Sequence, residues 1–463
     1  MKILLIYPKV NPGARGTVIK YSLVPPQSLT AVAALTPPEH EVIIVDENHD
    51  RINYNADIDL VGITVFISSA RRSYDIASRF RLRGIPVVLG GLHITTCPED
   101  AEGHADSLVI GDCEQTWPEL LSDLQAGHLK ERYEQLNVPS LEGLPLPRRD
   151  LVAKSRYLTP NSLLATRGCP FKCKFCYRSS LPSSDYCKRP VEEVVREIET
   201  FHGRYAVLLD DNLVADRSYC RELLNALTGR GLVWLGAGSL NMAEDPELMD
   251  LLAGSGCKSM FIGFETLSED NLRAIGKFPN KVERYSRAVR TIQEHDIMVN
   301  ASFVYGFDND DPGVFERTVN WGVENHLDTA TFHILTPYPG TPLHAELESQ
   351  GRIVDRNYDH YDTAHVVFQP KLMTAEELEA GYLWSYRKFY SWNAIGQRVF
   401  HVSGGVIPRL MMNVCYKKFE PVWELLIACG HTSWVWELFI KAVHAYSTVG
   451  GRLSVPVTER ARA

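Results

Sequence analysis

Twice along this chain, short apolar runs alternate with amphipathic segments, and no other feature narrows the choice of fold as much. Between residue 1 and about residue 130 the runs are Ile3–Tyr7, Val42–Asp46, Leu60–Phe66, Val87–Leu89 and Leu108–Ile110. Helical periodicity falls between them, near Pro26–Leu35, Arg71–Leu82 and Trp117–Leu124. Near-continuous apolar runs separated by helices predict a parallel sheet buried on both faces, hence a doubly wound α/β domain over 1–130. Residues 131–160 hold several prolines and basic residues without a period and read as a linker. The alternation resumes over 161–372 with a longer repeat. Its strands are expected at Ser162–Thr166, Tyr205–Leu209, Leu232–Gly236, Ser259–Phe264, Val299–Gly306 and Thr329–Leu335. Six parallel strand–helix units predict a partial (β/α)6 barrel. The helix after the first strand is the clearest, with Pro190 at its first position and Val191, Val194, Val195 and Ile198 at i, i+3, i+4 and i+7. Over 373–463 the pattern turns helical and aromatic, a C-terminal helical cap. Its second run, Pro421–Val443, is interrupted by Glu424, Glu437 and Lys441, so it reads as amphipathic and not as a membrane span.

Ligands of doubly wound sheets and of barrels collect at the carboxyl ends of the strands. The loop after the first barrel strand is the most informative of these. Ala165–Ser180 reads ATRGCPFKCKFCYRSS and places Cys169, Cys173 and Cys176 at C-x3-C-x2-C spacing. A closed zinc site or a complete iron–sulfur site takes four protein ligands. Three thiols leave one coordination position for something other than protein, as a catalytic centre requires. The plainer reading is a zinc knuckle or three unrelated thiols. Aromatic Phe175 and Tyr177 flanking the last cysteine, and the apolar run into the loop, weigh against it. The net charge of −9 argues against a broad nucleic-acid footprint. Ten cysteines without a disulfide framework suit a reducing cytoplasm, and MKILLIYPKV lacks the long apolar core of a signal peptide.

A C-x3-C-x-aromatic-C loop directly after a predicted strand resembles the radical S-adenosylmethionine (SAM) superfamily. The resemblance implies a [4Fe–4S] cluster on Cys169, Cys173 and Cys176, with the amino and carboxylate groups of SAM on the fourth iron. It also implies reductive cleavage of SAM to a 5'-deoxyadenosyl radical, and an external one-electron donor such as flavodoxin or ferredoxin. The first domain resembles the Rossmann-like cobalamin-binding domain that precedes the barrel in one large branch of the superfamily. There Ser68 and Ser69 after the third strand, with the pair Gly90-Gly91, would line the cofactor's nucleotide tail. Taken alone, a glycine pair is only a tight turn. Many such domains supply a histidine to cobalt from a D-x-H-x-x-G pattern after the first strand, but Tyr7–Gly16 contains none. His49 has the wrong spacing and reads as an exposed loop residue. Two readings follow: cobalamin bound without a histidine ligand from this domain, or a domain that keeps the fold and has lost cobalamin.

The other barrel strand ends join the same site. Asp210-Asp211-Asn212 follow the second strand; a helix N-cap is the plain reading, while in this branch a similar acidic pair faces the methionyl amino group of SAM. The resemblance assigns Ser239, Asn241 and Glu265 to the ribose hydroxyls or the carboxylate of SAM. A carboxylate at Glu265, inside the barrel mouth, needs a donor partner in any case. Gly306 would let adenine approach the backbone. Three prolines shape the loop Leu335–Pro342, where Tyr338 is either a catalytic candidate on the substrate wall or the surface tyrosine of a rigid turn. Cys97, Cys113, Cys187, Cys220, Cys257, Cys415 and Cys429 show no second cluster spacing and read mostly as buried small hydrophobes.

The function implied is cobalamin-dependent radical C-methylation of a natural-product or lipid-like small molecule. Radical cyclisation, ring contraction or another carbon-skeleton rearrangement without methyl transfer is the alternative. A non-catalytic corrinoid- or zinc-binding protein is the alternative of another class. The cap reads as helices packed on the barrel or, alternatively, as a lid over an apolar substrate that also touches a membrane surface.

Overall fold

The computed structural model describes residues 1–10, 22–137, 140–181, 186–400 and 405–414. Strands β1 (Lys2–Tyr7), β2 (Glu41–Asp46), β3 (Leu60–Thr64), β4 (Val87–Gly90), β5 (Ser107–Gly111) and β6 (Arg132–Gln135) form one sheet in the order β2-β1-β3-β4-β5-β6. All of its pairings are parallel. Alternation along β1 shows why the sheet is covered twice. Ile3 and Leu5 pack with Leu29 and Trp117 on one face, and Leu4 and Ile6 with Ile76 and Phe80 on the other. β6 corrects the expected linker: the short, polar Arg-Tyr-Glu-Gln extends the sheet beyond residue 130, with Tyr133 and Gln135 buried. Pairing to β5 decides that strand, and a run-based reading does not see it.

The barrel sheet begins with β7 (Ser162–Leu163), which is shorter than expected. The chain then turns aside, and β8 (Thr166–Arg167) pairs antiparallel with β9 (Cys187–Lys188) at the base of the cysteine loop. β10 (Tyr205–Leu208), β11 (Val233–Gly238), β12 (Cys257–Glu265), β13 (Met298–Tyr305) and β14 (Thr329–Ile334) complete a parallel sheet in the order β7-β10-β11-β12-β13-β14. Val191–Glu199 is helical with Val191, Val194, Val195 and Ile198 buried, and Pro190 sits at its N-cap, one position earlier than expected. Asp216 caps the helix Arg217–Leu227 that follows β10, and Asp245, Ser268 and Thr341 cap helices after β11, β12 and β14. Asp210 and Asp211 are therefore not caps.

The described part of the cap, helices Ala375–Phe389, Trp392–Val399 and Val406–Asn413, packs on the barrel. β14 is an edge strand, and unpaired edge groups invite pairing with other chains. Tyr386 and Tyr390 cover that edge. The Tyr390 hydroxyl donates to Ala330 O (2.8 Å) and accepts from Ala330 N (3.1 Å), and the Tyr386 hydroxyl treats Phe332 the same way (3.1 and 3.0 Å). Buried Arg398 donates to the carbonyls of Leu327, Asp328 and Phe389. Met411 and Met412 pack beneath Tyr205, Val233 and Met298, the first residues of their strands, and so close the end of the barrel away from the cysteine loop. The run Pro421–Val443, with Cys415 and Cys429, lies outside the described residues. Among the described residues no helix is long and apolar enough to cross a membrane.

The two sheets meet through specific contacts. Gln27 donates to Ser162 Oγ (2.8 Å), the amides of Leu158 and Thr159 bond to Ser22 O and Leu23 O, and the Tyr157 hydroxyl donates to Asp46 (3.0 Å). That last contact corrects His49. Its side chain is only 2% exposed, sealed against Asp46 and the Tyr157 ring, because the linker folds back over the loop. Of the other cysteines, Cys97, Cys220 and Cys257 are buried, whereas Cys113 and Cys187 are half-buried.

Candidate active site

The cysteine loop is held against two neighbouring loops by its backbone. Lys174 N donates to Ile275 O (3.0 Å), and Leu343 N donates to Lys174 O (3.1 Å). Gly168 turns the chain into the loop at φ +96°. Cys173 is buried, Cys169 and Cys176 half-buried. Burial pushes the Cys173 thiol up and the Cys176 thiol to about 11, while the Lys277 ammonium beside both acts in the opposite direction. The donor set of soft sulfurs in one loop suits an iron–sulfur cluster. Among the described residues, no three His, Cys, Asp or Glu side chains converge tightly enough to hold a single metal ion.

Lys277 is the residue that sequence reasoning missed. Its Nζ bonds Glu265 Oε1 at 2.7 Å, deep in the barrel mouth. Burial alone lowers the Lys277 pKa, but Glu265 and the Cys173 and Cys176 sulfurs outweigh it, so the ammonium is held above its ordinary range. Glu265 reaches this place at a conformational cost: its φ is +65°, where β12 shifts register against β13. Its carboxylate folds over Gly263, where an added Cβ would collide with Glu265 Oε1 and crowd Lys277 Nζ (3.0 Å), so a side chain there would displace the pair. The signal was the glycine two residues before Glu265; the spacing of twelve to the lysine carries no period that reveals it.

The acidic pair divides its work. Asp210 is buried and accepts from Thr166 N, Thr166 Oγ1 (2.6 Å) and Ala165 N (3.4 Å). Burial pushes its carboxyl up to about 6 against those donors. It is tied to the chain leading into the cysteine loop. Asp211 binds the Arg178 guanidinium, the Tyr177 hydroxyl (2.9 Å) and Gly168 N (3.3 Å), so it faces the loop from the other side. Asn212 Nδ2 lies 4.0 Å from Cys169 Sγ, and its buried Oδ1 has no partner among the described residues. Across the mouth, Asn241 Oδ1 accepts from Ser239 Oγ (2.8 Å) and Arg217 Nη2 (3.1 Å), and the buried Arg217 Nη1 is likewise unpartnered there. Buried polar atoms without partners are costly. Here they fit the polar groups of a bound amino-acid-like ligand.

A cavity of about 470 Å3 starts as an apolar slot between the first sheet and its helices, lined by Leu5, Leu29, Gly62, Val88, Val109 and Trp117. It passes Gly90, Gly91 and Asp112–Glu114 and reaches Arg167, Tyr177 and Arg178 beside the third cysteine. Arg167, two residues before Cys169, spans the two domains with Nη1 3.0 Å from Asp112 and Nη2 2.7 Å from Glu114. Gly91, at φ +103°, leaves no room for a Cβ beside Thr64 and Val65. Ser68 and Ser69 do not line the cavity. Ser69 Oγ closes the turn onto Phe66 N and O, and this stretch packs against Tyr358–His360 instead. At Gly306 (φ +102°) the space for a Cβ is filled by Leu378 (2.9 Å) and Phe368 (3.0 Å), so protein packing accounts for the glycine that was expected to admit adenine. Half-buried Tyr338 sits in a loop whose Gly340 lies against Ser180 and Thr96, hence against both the cysteine loop and the first domain.

Known proteins share this arrangement. A radical SAM superfamily domain matches residues 163–322. The bacteriochlorophyllide d C-8(2)-methyltransferase of Chlorobaculum tepidum is 31% identical over 410 residues, which is 84% of this chain and 91% of that protein. The C-12(1)-methyltransferase of the same organism is 31% identical over 386 residues, 81% of this chain and 84% of that protein. Among solved structures, the radical SAM methyltransferase TsrM from Kitasatospora setae, with cobalamin and a [4Fe–4S] cluster bound, superposes at a TM-score of 0.61 with 18% identity, covering 93% of this chain and 99% of that one. At that identity the likeness is one of fold. The doubly wound sheet, the six-stranded barrel and the cysteine triplet thus agree with a relationship along most of the chain: the protein belongs to the radical SAM superfamily, in the branch whose barrel follows a cobalamin-binding-type domain.

Proposed function

We propose that the chain is a cobalamin-dependent radical SAM C-methyltransferase acting on a large, mostly apolar, natural-product or lipid-like small molecule. The observation that carries this reading is the continuity of one cavity from the glycine pair of the first domain to the residues adjoining the third cysteine. A cluster bound on Cys169, Cys173 and Cys176 would supply the electron that cleaves SAM, and a corrin in the cavity would supply a methyl group for transfer. Lys277 and Arg217 offer the cations for a carboxylate at the two sides of the barrel mouth, and Asp211 and Glu265 are held open toward the cysteine loop by their own basic partners. The Gly90-Gly91 turn and the slot under Gln27–Leu35 suit a bulky tail, while Arg167 locks the first domain to the loop. Tyr338 and the neighbouring prolines form the wall on the substrate side. Both relatives are named for C-methylation of a tetrapyrrole, which favours methyl transfer over rearrangement and a ring-containing substrate over a peptide.

Anaerobic purification with cobalamin supplied tests the proposal. Iron, bound corrinoid and 5'-deoxyadenosine release are measured, with Cys169→Ala as control, and products from SAM carrying a labelled methyl group are weighed. Iron and deoxyadenosine no higher than in Cys169→Ala would sink the radical chemistry. Turnover of a tetrapyrrole or polycyclic substrate without gain of the labelled methyl would sink the transfer.

A further inference from the structure

We propose that the interior of the barrel beneath the Glu265–Lys277 pair is a substrate subsite. It takes one flat ring against Phe261 and bonds a carbonyl or ring-nitrogen acceptor of that ring from Asn300 Nδ2. The inference rests on the reading above and deepens it. Hydrogen abstraction needs the attacked carbon in contact with the radical that attacks it, so part of the substrate must adjoin the barrel mouth.

Side-chain alternation shows which residues face that interior. Met260, Ile262 and Phe264 of β12 pack outward, Phe264 against Tyr285 of the helix Val282–Glu294. Phe261 and Gly263 therefore point inward. On β13, Val299, Ala301 and Phe303 belong to the same outer core, so Met298, Asn300 and Ser302 point inward. Register sets Ala237, Phe261 and Asn300 side by side on β11, β12 and β13. Below this layer Met298 packs with Met411 and Met412. Above it lies Gly263, two residues and roughly 7 Å along the strand. The Lys277 ammonium and the Glu265 carboxylate sit directly over that glycine. The layer is thus framed by an apolar floor and by the pair at the mouth.

A side chain on a central strand facing a closed interior should be buried, yet Phe261 is 40% exposed. Its ring borders open space, and its neighbour on β11 is only an alanine. Asn300 is half-buried. Its Oδ1 is sealed without a partner and its Nδ2 makes no hydrogen bond among the described residues, so the Nδ2 end is turned to that space. Ser302 and Thr331 continue the polar side one layer up, in register with Gly263. None of these residues is charged. An aromatic face with an amide donor beside it suits a neutral flat ring that carries an acceptor, and disfavours phosphate or carboxylate. A ring bound here lies one side-chain layer from the mouth, where its substituents meet the reacting centre.

Equilibrium dialysis of the anaerobically reconstituted protein, with cobalamin supplied to occupy the first-domain cavity, tests the subsite. The probes are 9-fluorenone and fluorene, the same ring system with and without a carbonyl. Wild type is expected to bind the ketone at least about fivefold tighter than the hydrocarbon, Asn300→Leu to abolish that preference, and Phe261→Ala to weaken both probes at least about fivefold. SAM affinity, measured by calorimetry, is expected to stay within about twofold in both variants. Ala237→Phe fills the same layer from β11 and serves if Phe261→Ala fails to fold: it should exclude both probes and spare SAM. SAM affinity falling in parallel with probe affinity would give the ring pocket to adenine and overturn the proposal. So would probe binding unaltered by Phe261→Ala and Ala237→Phe, or no ketone preference in wild type. Probe binding that follows these substitutions in a protein releasing no 5'-deoxyadenosine supports the pocket and fails the radical reading. Deoxyadenosine release without probe binding fails the pocket alone.

Discussion

Replacing Tyr390 with phenylalanine removes one oxygen and leaves two backbone groups of the barrel's edge strand without partners. In the native protein the Tyr390 hydroxyl both donates to Ala330 O and accepts from Ala330 N, in a buried setting. An orphaned buried polar group costs about 1–3 kcal/mol, so Tyr390→Phe is expected to destabilise the β14 edge by about 2–4 kcal/mol. Tyr386 is half-buried, so water reaches the freed groups of Phe332 and Tyr386→Phe is expected to cost about 1–2 kcal/mol. Their rings are 6.3 Å apart, so the two losses will not add simply. The assay is amide hydrogen exchange resolved to β14. At about 1.4 kcal/mol per tenfold, Tyr390→Phe should speed exchange at Ala330 by roughly 30- to 1000-fold. The amides of Thr331 and His333, which alternate toward β13, are internal controls and should change far less. An unaltered Ala330 amide, or uniform acceleration along the strand, would refute the idea that the tyrosine pair closes this edge.

Other outcomes follow from the site. Lys277→Met strands the Glu265 carboxylate in the barrel mouth, at about 3–5 kcal/mol for a broken buried pair; calorimetric SAM affinity should drop sharply while iron content stays measurable. Arg167→Met leaves Asp112 and Glu114 facing each other at the domain junction, so corrinoid retained through gel filtration should decrease, with Arg167→Lys intermediate. Asp310, buried behind Gly306, accepts from Gly306 N, Phe307 N and Asn271, yet burial pushes its carboxyl up to about 7 from 3.8. A raised carboxyl binds more protons folded than unfolded between those values, so its contribution is complete below about pH 4 and falls away by roughly 4 kcal/mol as pH rises to about 7. Asp310→Asn should flatten the urea-midpoint profile across that range, and an unchanged slope would contradict the assignment.

Long-range order separates what was legible in the chain from what was not. Leu60–Thr64 and Met298–Tyr305 announced themselves because strands buried on both faces must be apolar throughout. Arg132–Gln135 did not, since its place at the sheet edge depends on β5 and not on its own residues. Cys169, Cys173 and Cys176 were readable as a group because three cysteines within one loop need no tertiary contact to be neighbours. His49 was misread because the linker that buries it lies over a hundred residues away. Ser69 and Gly306 were matched to cofactor contacts by position, whereas a turn hydrogen bond and the packing of Leu378 and Phe368 account for them.

By itself the sequence determined two α/β layers, their order, and a cysteine loop at the carboxyl end of the first barrel strand, because period and local spacing are properties of consecutive residues. Only the tertiary structure decided that Glu265 is paired with Lys277, that Asp211 is shared among Arg178, Tyr177 and Gly168, and that one cavity joins the two domains. Each of those depends on elements brought together by packing, and the partners a buried charge finds there decide what it does.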